Sequence, residues 1–298
     1  MVAQRIRCRA ANPERCWKHG TGIGFDEHRL IRDVMRKPQI NHTKHEIFAQ
    51  PLKTYEGYQM ASVVTAFAHN TSEVNARRVK EALLLASDMH KVDTRANRAQ
   101  HDRTPYIEHP LRNTIRLIRW GCKDEATIIG SLLHDVVEDH PFEIAREYAK
   151  KEPADEAEAR EISLQYIEQK FGKDAARTVR GMSNPISEDR YMPAEQKNII
   201  YAEHVKEAIE DPRVAVAKVS DFTDNALSLH HTEKGMTSTS LRKKSAKYLL
   251  VCDTLIARLK RGQFEGNMPV SEIGLRRMIK QLEEGREKLV AINLKHAA

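Results

Sequence analysis

The chain has 298 residues, with 49 Lys and Arg against 42 Asp and Glu, a formal net charge of +7 and 40% hydrophobic residues, and its mean hydropathy is −0.61. This composition excludes a disordered chain and a membrane-spanning one, because a core can be buried and no run of about 18 apolar residues occurs. Four cysteines, Cys8, Cys16, Cys122 and Cys252, are too few and too scattered for a disulfide scaffold, so a reducing, cytoplasmic compartment is expected.

The charge is unevenly placed. Residues 1–50 carry 10 basic and 5 acidic side chains, residues 101–200 carry 15 and 19, and residues 251–298 carry 9 and 6. An acidic middle between basic ends suits a site that holds cations and meets an anionic ligand. Direct nucleic-acid binding is not expected, since the basic residues are dispersed, few aromatics interleave with them, and no helix-turn-helix, zinc-finger or RNA-recognition signature is present.

In chain order, residues 1–70 form an irregular N-terminal extension with one short helical candidate at about 26–36. Cys8, Cys16, His19, His42 and His45 are zinc-ligand types, but their irregular spacing favours unpaired thiols and surface histidines. From residue 71 the apolar spacing is helical almost throughout, and strand signals are nearly absent. A helix capped by Thr71 or Ser72 is expected to reach Met89, with His90 at its end and a polar loop from Lys91 to Arg103. Further helices are expected at about 109–120, 124–139, 155–171, 173–181, 194–210, 213–230, 238–262 and 270–290. Pro105, Pro141, Pro185, Pro193, Pro212 and Pro269 mark their boundaries. The acidic run KKEPADEAEARE reads as a solvated helix face or insertion.

The segment ATIIGSLLHDVVED, residues 126–139, carries the most chemistry. On a helix at about 100° per residue, His134, Asp135, Glu138 and Asp139 share one arc, while Leu132, Leu133, Val136 and Val137 lie opposite. Burying that polar arc would cost about several kcal/mol unless it binds something or faces a cleft. A metal cation resolves the problem, with His134 and Asp135 as ligands and Glu138 and Asp139 close enough to orient a water. In DPRVAVAKVSDFTDNALSL, residues 211–229, Lys218, Asp221 and Asn225 again share one arc. Asp221 is a candidate to complete the coordination shell, Asn225 to donate to a sugar or phosphate oxygen, and Lys218 to bring charge to a phosphate.

His90, then TPYIEHP (104–110), LLHDVVED (132–139) and AKVSDFTDN (217–225) together resemble the HD-domain metal-dependent phosphohydrolases. Within these the chain is most similar to the Rel/Spo-type and small alarmone hydrolases, which remove pyrophosphate from the 3′ position of guanosine tetra- and pentaphosphate. The resemblance spans about residues 74–232. It implies His90, His134, Asp135 and Asp221 as metal ligands, manganese as the ion, Glu138 and Asp139 as the pair that positions and activates the water, and Asn225 as a nucleotide contact. Tyr106 and His109 would shape the site without being ligands.

The chain departs from the family pattern in three places. The basic Arg-Lys-Ser-Gly-type run is replaced by NRAQHDRT (97–104), a basic position before the first histidine by Glu81, and two arginines after the last metal aspartate by Phe222 and Leu227. Arg95, Arg98 or Arg103 from the long loop are candidates to replace them, with Arg103 taken as a substrate contact. The expected molecule is an all-α HD-domain helical array with an N-terminal extension (1–70), a phosphohydrolase domain (71–235) and a C-terminal helical pair (236–298). No synthetase is expected. The substrate is expected to be a small nucleotide, (p)ppGpp first, with a dinucleotide phosphate or deoxynucleotide as the alternative and a nucleotide-sensing or RNA-contacting regulator as the reading from another class. The stripe LRKKSAKYLLVCDTLIARLKRG reads as core packing or a protein interface, a homo-oligomer included, rather than a membrane surface.

Overall fold

The computed structural model describes residues 51–95, 103–186, 192–227, 229 and 236–296. The cysteine and histidine grouping at 8–45, the helical candidate at 26–36 and Arg98 lie outside the described residues. A 3-10 turn, Leu52–Thr54, leads into helix α1, Gly57–His69. Then follow α2, Ala76–Met89; a two-stranded hairpin of β1, Thr94–Arg95, and β2, Thr104–Pro105; α3, Glu108–Arg119; α4, Glu125–Leu133; and α5, Val136–Asp139. After a short helical stretch, Pro141–Glu143, and a π-turn, Ile144–Tyr148, come α6, Glu156–Phe171; α7, Lys173–Met182; α8, Ala194–Ala208; α9, Pro212–Asn225; α10, Ser238–Arg261; and α11, Glu272–Lys295. The all-α expectation holds, and the antiparallel hairpin, pairing Thr94 with Pro105 and Arg95 with Thr104, is the only sheet among the described residues.

Local chemistry sets the helix ends. Asp124, Asp155, Asp211, Thr237 and Ser271 each accept a backbone N–H in the first turn of α4, α6, α9, α10 and α11, satisfying donors that a helix start leaves open. Pro212 occupies the first turn of α9, where its missing N–H costs nothing. α2 begins at Asn75, whose side chain accepts from Arg77 N and Arg78 N, rather than at Thr71 or Ser72. The acidic run supplies the start of α6.

Two differences from the sequence expectation matter for the site. α1 was not expected; its Met60, Ala61, Val64 and Ala68 recur at helical spacing, are buried, and pack on α3. The single helix expected over 124–139 is interrupted at His134 and Asp135. Both keep right-handed helical dihedrals, so α5 follows α4 with its polar arc still presented together.

α4 lies at the centre, against α2, α3, α7 and α9, with Ile128, Ile129, Leu132 and Leu133 sealed from solvent. Each such side chain contributes about 1.5–3 kcal/mol. Gly130 lets α7 approach, since a Cβ there would collide with Thr178. α10 and α11 pair along their length, and α11 meets the end of α9 at Gly285, where a Cβ would strike Leu227. No helix among the described residues is long and apolar enough to cross a membrane.

Candidate active site

α3, α4 and α9 bring four side chains to one point. His109 Nε2 lies 3.0 Å from Asp221 Oδ1 and 3.5 Å from Asp135 Oδ2, and His134 Nε2 lies 3.1 Å from Asp135 Oδ2 and 3.6 Å from Asp221 Oδ1. The two Nε2 atoms are 3.3 Å apart. Their partners on the far side of each ring decide what those atoms carry. His134 Nδ1 donates to Ser131 O at 2.9 Å and His109 Nδ1 donates to Asp224 Oδ2 at 2.8 Å, so in the neutral rings both Nε2 atoms are bare lone pairs. Two imidazole lone pairs and two carboxylate oxygens aimed at one point call for a cation, and the donor set fits a divalent metal. Burial opposes charge on His134, yet Asp135 and Asp221 outweigh it and raise its pKa, another sign of a field that draws positive charge.

The expected quartet differs in one member. His109, read from the sequence as shaping the site, meets His134, Asp135 and Asp221; His90 does not. His90 caps the end of α2, stacks on Tyr106 with ring centroids 4.5 Å apart, and donates from Nδ1 to Asp93 Oδ2 at 2.9 Å. Tyr106 stands between the two places, its hydroxyl donating to Asp135 Oδ2 at 2.8 Å. The physical reason is reach: His109 heads a helix that packs directly on α9, whereas His90 sits behind the tyrosine.

Behind His109 lies a dry ionic network that sequence reasoning missed. Asp224, 1% exposed, accepts from Arg112 Nε at 2.9 Å and Nη2 at 3.0 Å as well as from His109. Arg116 adds a contact at 3.3 Å, and Lys53, from the Leu52–Thr54 turn, one at 3.7 Å. Burial works against the charge of Asp224, but Arg112 and His109 hold its pKa well below the usual carboxylate range. Asp224 thus fixes the orientation and tautomer of His109. The available signal was its position three residues after Asp221, on the arc that faces α3.

A cavity of about 720 Å³ opens in front of the quartet. Glu138, Asp139, Lys218 and Asn225 all line it, as expected, and so do Arg95, Tyr201, Lys247 and Tyr248. Glu138 accepts from Asn184 N and from Asn184 Nδ2, both at 2.9 Å. Asp139 has its pKa pushed up to about 6 by burial, with Asp135 and Glu138 adding repulsion. Lys218 is buried and donates to Met182 O at 2.5 Å. Asn225 donates to Asp221 Oδ1 at 2.8 Å and accepts from Arg95 Nη2 at 2.6 Å, while the Arg95 guanidinium lies 5.1 Å from the Tyr106 ring centre. Arg103, expected to contact substrate, is not among the residues lining the cavity. Its guanidinium instead donates to Thr94 Oγ1 at 2.6 Å and Thr94 O at 2.7 Å, bracing the hairpin that presents Arg95. Glu81 is likewise remote from the cavity, paired with Arg77 at 2.9 Å and Lys170 at 3.3 Å.

A family model for the HD domain matches residues 82–247, more than half of the chain. The chain belongs to the HD-domain family. Among curated proteins it is 31% identical, over 42% of its length, to a guanosine-3′,5′-bis(diphosphate) 3′-pyrophosphohydrolase of Aquifex aeolicus, covering 14% of that protein. It is 28% identical over 53% of its length to the bifunctional (p)ppGpp synthase/hydrolase SpoT of Escherichia coli, covering 19% of that protein. It is 26% identical over 52% of its length to the 3′-pyrophosphohydrolase MESH1 of Xenopus tropicalis, covering 71% of it. The HD-domain chain therefore spans less than a fifth of the first two relatives. A solved structure of a metazoan orthologue of SpoT matches with a TM-score of 0.47 and 21% identity, over 70% of this chain and 95% of that one.

Proposed function

We propose that the chain is a metal-dependent nucleotide phosphohydrolase that removes the 3′-pyrophosphate of (p)ppGpp. The observation that carries this reading is the convergence of two imidazole Nε2 atoms with Asp135 and Asp221 at the floor of a cavity that also holds Asp139. The substrate is supported by the activities for which the relatives that share this segment of chain are named.

In this reading His109, His134, Asp135 and Asp221 hold a divalent ion. Mixed imidazole and carboxylate donors suit manganese, iron or zinc better than calcium, and manganese is what the sequence resemblance implies. The bound ion supplies Lewis-acid polarisation of the phosphoryl group and an acidified water. Asp139, with its pKa near neutrality, accepts the proton of the attacking water, and Glu138, held by Asn184, orients that water. The water oxygen bonds to the inner phosphorus as the bond to the 3′ oxygen breaks. Asp139 then returns its proton to that oxygen, leaving a 3′ hydroxyl and free pyrophosphate. Tyr106 holds Asp135 in place, Arg95 and Asn225 contact the nucleotide, and Lys218 brings positive charge to the phosphates from below. A cytoplasmic location follows from a nucleotide substrate of this kind.

The test is to incubate purified protein and manganese with ppGpp, pppGpp, NADPH and common nucleoside triphosphates, measuring released phosphate and pyrophosphate beside Asp135→Ala. Pyrophosphate from ppGpp, absent with the variant, is expected. Turnover of another nucleotide alone would overturn the substrate, and silence with metal bound would overturn the enzymatic reading.

A further inference from the structure

We propose that His90, Asp93 and His140 form a second divalent-metal site, distinct from the quartet around His109, that staples the hairpin bearing Arg95 to the end of α5. The three residues come from the end of α2, the turn before β1 and the residue after α5, so each belongs to a different segment of the chain. Their ligand atoms all lie within 4.8 Å of one another. His90 Nδ1 and His140 Nε2 converge on the same oxygen, Asp93 Oδ2, at 2.9 and 2.7 Å. Two ring N–H groups sharing one carboxylate oxygen hold protons where one divalent ion would serve, and binding would release them.

The three side chains are held in place. The His90 ring stacks on Tyr106 and meets His140 edge-on at 4.9 Å between centroids. Asp93 N donates to His90 O at 3.2 Å, and Asp93 O accepts from Tyr106 N at 2.9 Å, so the turn carrying the carboxylate is fixed at both of its backbone groups. Glu143 lies 4.0 Å from His140 Nδ1, placed as the outer carboxylate that a metal-bound imidazole commonly uses. The partly exposed Asp93 leaves room for water as a fourth ligand. Two imidazoles and one carboxylate with an open position suit zinc, cobalt or iron.

The two sites can be read separately. Chelator-treated full-length protein is dialysed against zinc and, in parallel, cobalt; bound metal per chain is counted, and cobalt absorption reports nitrogen and oxygen ligation. The wild type is expected to bind two ions; His140→Gln, Asp93→Asn and His134→Ala one each; and the His134→Ala/His140→Gln double variant none, with circular dichroism confirming the fold of each. The His140 side chain is partly exposed, so His140→Gln serves if Asp93→Asn does not fold. A wild type with a single ion that His134→Ala abolishes and His140→Gln leaves in place would overturn this proposal alone, as would two ions retained in His140→Gln. A single ion lost only in His140→Gln would sustain it and overturn the quartet, and no bound ion at all would overturn both.

Discussion

The floor and the outer wall of the cavity are built on opposite plans. On the floor, His109, His134, Asp135 and Asp221 come from α3, α4 and α9, and the far side of each imidazole is already committed, His134 to Ser131 and His109 to Asp224. On the wall, α8 and α10 contribute Tyr201, Lys247 and Tyr248, with Lys247 Nζ 4.1 Å from the centre of the Tyr201 ring. The floor fixes atoms through polar contacts behind them; the wall is laid from aromatic rings packed on the core, with Tyr248 edge-on to Phe222 at 5.9 Å between centroids. Holding a metal needs sub-ångström placement, which committed hydrogen bonds supply, whereas contact with a large anion tolerates the looser fit that rings and a lysine give.

The sharpest way to break this comparison is at the floor. Asp135→Ala should lose the metal and about 1,000-fold or more in kcat, equivalent to about 4 kcal/mol. Glu138→Ala should keep the metal and lose turnover, and equal metal loss in both variants would erase the division between ligands and acid pair.

Beside the floor, acid titration of metal-free protein tests His90. Its pKa is pushed down to about 4 by burial, so between pH 6.5 and 4 the unfolded chain binds a proton that the folded one refuses. That contribution to stability is complete above about pH 6.5 and shrinks by about 3 kcal/mol as pH falls to 4. Asp139, pushed up to about 6, acts in the opposite sense over part of this window, so the quantity to measure is the difference in denaturant stability between wild type and His90→Asn at each pH.

One layer further back, Asp224→Asn removes charge while keeping shape. Metal affinity should fall about 10–100-fold by equilibrium dialysis, because His109 loses the anion that fixes its tautomer. A variant that melts earlier with metal affinity unchanged would reduce Asp224 to a structural ion. The smallest effect belongs to the wall: Tyr201→Ala or Lys247→Ala should raise KM for the nucleotide about tenfold with kcat nearly unchanged, since such contacts serve ground and transition states alike. A fall in kcat instead would move the wall into the chemistry.

What was legible in the sequence is what short-range physics sets. Most helix limits follow caps and prolines, and the polar arcs of 134–139 and 218–225 do face one cavity. α1 was missed because Met60, Ala61, Val64 and Ala68 are small or lie among β-branched and polar neighbours, giving a weak contrast between faces. His109 was underrated for a different reason. Its role depends on Asp224, 115 residues away, and on α3 packing against α9, neither of which leaves a local mark. His90 and Arg103 lie away from the cavity lining on the same account, since order along the chain does not say which ring lies behind Tyr106 or that a guanidinium will fold back onto Thr94.

The contact between Gly285 and Leu227 bears on how small a working fragment could be. α11 rests directly on the residues that follow Asn225, and Cys252 Sγ reaches Leu282 O at 3.5 Å to hold α10 beside it. A truncation drawn at the edge of the family match would strip the support from the end of α9, which carries Asp221 and Asn225. Activity and solubility should therefore fail together in such a fragment, and an engineered minimal version has to retain the chain through Leu289, the last buried residue of that brace.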